Sequence, residues 1–165
     1  MGLIRFAIVA IATLLSTDTS LTPRVRSNHP YIRAMIAEAQ VRSATFKRLI
    51  DSIDATDGIV YVEEGECHHS VRACLPPLVT AAGGFRFLHV IVDARLEDWQ
   101  VMSDIGHELQ HALEVLSDTH ARTDSSLFYL MLQGTSGNSA DIRESGDAVK
   151  TGELVRKEIE AFAKR

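Results

Sequence analysis

Apolar positions recur along this chain with a period that changes twice. Between Pro30 and Ile53, the residues Ile32, Met35, Ile36, Ala39, Phe46, Leu49, Ile50 and Ile53 return at near-helical spacing, which predicts one long amphipathic helix over 30–53. His29-Pro30 opens it, since a proline in the first turn lacks an N–H that would have no helical partner anyway. Asp57-Gly58 marks the closing turn. Ile59-Val60-Tyr61-Val62 is then β-branched and aromatic and predicts a strand. Leu75–Ala82, Gly83-Gly84 and Phe85–Asp93 predict strand, turn and strand. In the last strand Phe85, Phe87, His89 and Ile91 alternate with Arg86, Leu88, Val90 and Val92, so both faces are expected to be covered. Helical spacing returns over Glu97–Leu116. Ser117–Asp124 reads as a loop, Ser125–Gln133 as a short helix and Gly134–Ser139 as a flexible connector. Asp141–Lys164 reads as a C-terminal helix, weakened in its first half by Gly146 and Gly152. The expected class is α+β, with a small mixed or antiparallel sheet of roughly three or four strands.

Composition narrows the function only by exclusion. The chain has 165 residues, 17 Lys+Arg against 22 Asp+Glu and a net charge of −5, which suits one globular domain. Mild acidity without a basic run argues against nucleic acid as a partner. At the N-terminus, Phe6–Leu15 is an uninterrupted apolar stretch after Arg5. Its length, about ten residues, fits a signal peptide better than the roughly twenty of a stable membrane span. The expected layout is therefore 1–22 as signal peptide and linker and 23–165 as one domain, secreted or periplasmic. Cys67 and Cys74 frame C-H-H-S-V-R-A-C. An even count in an exported chain favours a disulfide, with free thiols or metal ligation by His68 and His69 as alternatives.

One motif carries chemistry. His107-Glu108-Leu109-Gln110-His111 is H-E-x-x-H, and on a helix residues i and i+4 project from one face and can grip one Zn²⁺. Glu108 lies about 100° round the helix, beside the pair, where it can take a proton from the attacking water. Asp104 and Glu114 share the polar face with the histidines, while Val101, Ile105, Leu109, Ala112 and Leu116 fall opposite.

Gly106–Glu114 (GHELQHALE) resembles the active-site helix of zincin metallopeptidases. In its setting the chain also resembles a group of small exported bacterial proteins with a Val/Ile-rich strand ending in Asp, then this helix, then a late Glu. Here these are Arg86–Asp93 and Glu144. The resemblance implies a minimal zincin-like, gluzincin-like catalytic domain, its sheet flanked by an N-terminal helix and the H-E-x-x-H helix. It also implies that Phe85–Val92 is the sheet edge above the cleft, where an extended substrate pairs.

A catalytic zinc usually takes a third protein ligand. The metzincin extension would need glycine at 114 and histidine at 117, where Glu114 and Ser117 stand. Glu114, Asp118, His120, Asp124 and Glu144 remain. Glu114 lies about 10 Å along the helix from His107, so it suits orienting His111 instead, a role also open to Asp104. Glu144 falls on the apolar stripe of the C-terminal helix with Ala148, Val155, Ile159 and Phe162, where a carboxylate needs a partner. The alternatives are that it only caps the helix or that His120 is the ligand. Glu153, Glu158 and Glu160 lie off that stripe and read as solvated. In thermolysin-like enzymes an Asp follows the ligand Glu by four residues; Ala148 stands there, with Asp147 one earlier. Tyr129 reads as core or as a phenol for an oxyanion, His89 as a core histidine and Trp99 as packing.

The expectation is an exported zinc-dependent hydrolase acting on peptide or protein substrates. His107, His111 and Glu144 would be ligands and Glu108 the general base. The alternative is a non-catalytic zincin-like binding or regulatory protein with a structural zinc. The sequence does not indicate an oligomeric state.

Overall fold

The computed structural model describes residues 22–68, 71–133 and 144–164. The apolar leader, the Gly134–Ser139 connector and the Asp141 start expected for the last helix lie outside the described residues. The elements run β1 (Val25–Arg26), α1 (Pro30–Arg42), α2 (Ala44–Asp54), β2 (Gly58–Glu64), β3 (Ala73–Cys74), β4 (Thr80–Ala82), β5 (Phe85–Val92), α3 (Asp98–Ser117), α4 (Asp124–Gln133) and α5 (Gly146–Phe162). The class is α+β, as expected.

The expected long helix over 30–53 is two helices. Ser43 takes an extended backbone (φ −129°, ψ 114°), ends α1 and caps α2 by accepting the Phe46 N–H. Its hydroxyl donates to Glu158 at 2.5 Å, and that carboxylate also accepts from the Thr45 N–H and hydroxyl. Glu158 is therefore the anchor of the α2 N-terminus rather than a solvated acid. Burial alone would raise its pKa, but these hydrogen bonds outweigh it and hold it below the ordinary value.

The sheet is mixed, in the order β1-β2-β5-β3, with β4 also on β5. β1, β2 and β5 are parallel, with Val60 opposite Leu88 and Val62 opposite Val90. β3 and β4 are antiparallel to the two ends of β5, through Cys74–Ile91 and Thr80–Phe87. The expected strand Leu75–Ala82 is thus only the three residues of β4, because Pro76 and Pro77 lack ladder donors and the chain from 75 to 79 leaves the sheet. β5 is the central strand and not an edge, which corrects the role implied for Phe85–Val92.

Only one face of β5 is buried. Arg86, Leu88, Val90 and Val92 face the helices, whereas Phe85 and His89 are exposed. The expectation of a strand covered on both faces fails because the helices gather on one side. On the open face His89 stacks on Tyr61 (centroids 5.6 Å apart), with its Nδ1 3.1 Å from Glu63. It is not a core histidine.

Arg86 is 2% exposed and makes the sheet-to-helix joint. Its guanidinium donates to Asp57 at 2.6 and 2.9 Å and to the carbonyls of Leu116 (2.7 Å), Asp118 (2.6 Å), Val115 (3.2 Å) and Ala121 (3.4 Å). The last turn of α3 has no basic residue of its own, so a cation from the sheet satisfies its orphan carbonyls and opposes the negative end of the helix dipole. Gly58 lets Leu116 lie against β2, since a Cβ there would collide with it. Together these contacts fix the helix that carries H-E-x-x-H.

Candidate metal centre

α3 begins with a capping box between Glu97 and Gln100, which satisfies two first-turn donors and sets the register of the helix. Val101, Met102, Ile105, Leu109, Ala112, Val115 and Leu116 bury one face in the core. The opposite face carries His107 and His111, with side chains 20% and 13% exposed and rings 5.0 Å apart. The expected split of apolar and polar faces is present.

α5 crosses α3 at this face. Gly152 permits the approach: a Cβ would stand 3.2 Å from His107 Cβ and 3.6 Å from the Ser103 carbonyl, and the Ser103 hydroxyl donates to the Gly152 carbonyl at 3.0 Å. The glycine that weakens the helix on propensity is the one that lets it reach the site.

Glu144 stands two residues before α5 and meets the histidines. Its Oε2 is 3.4 Å from His107 Nε2, and ligand atoms of His107, His111 and Glu144 all lie within 4.8 Å of one another. These three residues could hold a metal ion. The location differs from the argument by helical stripe, because the Glu144 side chain is 57% exposed and lies outside the helix. Nor does it cap the helix. Ser145 does, accepting the Ala148 N–H at 3.0 Å.

Ser145, unremarked in the sequence, also donates its hydroxyl proton to Glu114 at 2.7 Å. Glu114 in turn lies 3.2 Å from His111 Nδ1. A neutral His111 that donates its Nδ1 proton to Glu114 would present the Nε2 lone pair to the site. One chain of contacts, Ser145–Glu114–His111, therefore joins the loop that carries Glu144 to the helix that carries the histidines. Asp104 has another role: among the described residues its carboxylate accepts from Arg72 at 2.9 Å and contacts neither imidazole, and its second oxygen is buried without a partner.

The electrostatics treat the two histidines differently. Burial lowers the pKa of His107, helped by His111 and opposed by Glu144 and Glu114, so its neutral, ligating form dominates. Burial also disfavours charge on His111, but the Glu114 hydrogen bond and the surrounding carboxylates outweigh it and raise its pKa. Glu108 is 6% exposed, with Oε1 4.0 Å from His107 Nε2. Burial first, then the charges of Glu144 and Asp104, push its pKa up to about 7, against the pull of His111 and a hydrogen bond from the Leu75 backbone. A nearby cation would reverse that cost.

The other candidates lie elsewhere. The His120 N–H bonds the Asp118 carboxylate, and Asp124 accepts from the Val79 N–H. Neither histidine nor acid joins the cluster. Tyr129 is 64% exposed and not in the core. Cys67 and Cys74 form a disulfide that closes a loop against β5. Among the described residues no helix is long and apolar enough to cross a membrane. Comparison with protein-family models, with curated proteins and with solved structures returns no match.

Proposed function

We propose that this chain is an exported zinc-dependent hydrolase that cleaves peptide bonds, with His107, His111 and Glu144 holding the metal and Glu108 as general base. The supporting observation is the convergence of two imidazoles and one carboxylate within 4.8 Å, with a second, buried carboxylate 4.0 Å from one of those nitrogens. Two nitrogens and one oxygen suit zinc and leave a fourth position open, as catalytic sites require. Zinc held there would supply Lewis acidity to the scissile carbonyl and to the attacking water.

The rest is chemistry of the chain itself. Glu108 is buried beside the cluster, with its carboxylate 4.0 Å from His107 Nε2, which would put a proton acceptor next to a water held by the metal. Its carboxylate takes the proton of the attacking water, and the same proton passes to the leaving amine nitrogen as the C–N bond breaks. Glu114 and Ser145 keep His111 in the required tautomer. The burial of Ile105 and Leu109 behind the histidines holds both rings against the core.

The deciding experiment is turnover of a peptide pool by zinc-loaded wild type and Glu108→Gln. Hydrolysis in the wild type, with a drop of about a hundredfold or more in the variant, supports the proposal. Zinc binding without turnover on any pool would favour the regulatory alternative.

A further inference from the structure

α3 and α5 leave a cleft of about 370 Å³ that starts at His107 and extends toward the beginning of α3. Trp99, Ser103, Gly152, Arg72 and Arg156 line it. The Arg72 and Arg156 side chains are 55% and 41% exposed. Among the described residues Arg72 spends one Nη2–H on Asp104, and Arg156 one Nη1–H on Glu160 at 3.3 Å. A guanidinium has five donors in a planar fork, so most of each remains available to a ligand. Of the acids on the cleft, Asp104 is buried beneath Arg72, and Glu153 lies 3.6 Å from Lys157 on its own helix.

Arg72 is held in place from three sides. The Cys67–Cys74 disulfide closes its loop, its carbonyl accepts the Asp93 N–H at 2.8 Å, and Asp104 fixes the guanidinium. A pre-positioned fork loses little entropy on binding, and it matches a carboxylate through two parallel hydrogen bonds.

Resting on the hydrolase reading above, we propose that this cleft takes an Asp or Glu side chain of the substrate near the bond to be cut, with Arg72 selecting it and Arg156 assisting from α5. An ammonium side chain would meet the Arg72 and Arg156 guanidinium groups there, with Glu153 as the exposed carboxylate on the lining, and so would be the poorer fit. Substrates would be peptides with an acidic residue at one fixed distance from the scissile bond.

The test uses the full chain carrying Glu108→Gln, loaded with zinc, and fluorescent peptides that differ only by Glu or Gln at successive positions. Anisotropy is expected to show about tenfold tighter binding of the Glu peptide at one position. Arg72→Gln should reduce that ratio to near one without changing zinc content, and Arg72→Lys should keep part of it. Equal binding of Glu and Gln peptides at every position, preference for Lys peptides, or an acid preference that survives Arg72→Gln with Arg156→Gln would overturn the proposal. The Glu108 enzyme separates the two readings. Selective binding of acidic peptides without cleavage supports the subsite and removes the hydrolase, whereas cleavage indifferent to acidic residues does the reverse.

Discussion

Replacing Arg86 with methionine isolates the joint between the sheet and the H-E-x-x-H helix. Methionine matches much of the aliphatic length but removes every donor, leaving the carbonyls of Val115, Leu116, Asp118 and Ala121 without this partner. Asp57, whose pKa is held down chiefly by its hydrogen bonds to Arg86, keeps Arg122 at 2.8 Å. Asp57 is also 27% exposed, so water compensates part of its loss. Four carbonyls lose a charged donor at about 1 kcal/mol each, so the loss should be about 3–5 kcal/mol. With a urea slope of about 1.5 kcal/mol/M for a chain of this size, the unfolding midpoint should fall by about 2–3 M. Asp57→Asn should cost less, about 1–2 kcal/mol, because the carbonyl contacts survive. Equilibrium urea unfolding followed by circular dichroism measures both. A midpoint for Arg86→Met within about 0.3 M of wild type, or a larger loss for Asp57→Asn, would refute the reasoning.

Two further outcomes follow from the site. Glu114→Gln keeps the shape but weakens the acceptor for His111 Nδ1, so zinc affinity should fall by about 10–100-fold, as read by competition with a chromogenic chelator; unchanged affinity would remove Glu114 from the site. The pKa of Glu108 rises from 4.5 to about 7 on folding, so the fold favours the protonated form. The metal-free protein should therefore lose about 3 kcal/mol of stability as pH climbs from 4.5 through 7. That loss should be absent in Glu108→Gln and reduced by zinc, and urea unfolding at pH 5 and 8 checks the sign.

How far the sequence was readable depends on the range of the contact involved. The H-E-x-x-H helix is legible because its evidence is local: periodicity separates His107, His111 and Glu114 from the Leu109 face within a few turns. The α1–α2 break is not, since the apolar rhythm runs through Ser43, and what holds it open is Glu158, distant in sequence. Arg86 carries a local signal of its own. A charge among Leu88, Val90 and Val92 on a strand face needs a buried partner, but pattern alone could not name the α3 carbonyls. Helical periodicity places Glu144 on a buried stripe. The structure brings it to His107 from an exposed position before Ser145, where ligand atoms of His107, His111 and Glu144 lie within 4.8 Å of one another. The central position of β5 depended on β3 and β4, two short strands joined by a Pro-Pro segment that has no recognisable strand period.

The most direct test of the central claim is zinc stoichiometry and affinity for the purified full chain beside Glu144→Ala and His111→Ala. The account expects about one zinc per wild-type chain, strongly weakened binding without His111, and a clear loss of affinity without Glu144. A wild-type chain that binds no zinc when it is supplied, or binding indifferent to all three side chains, would contradict it.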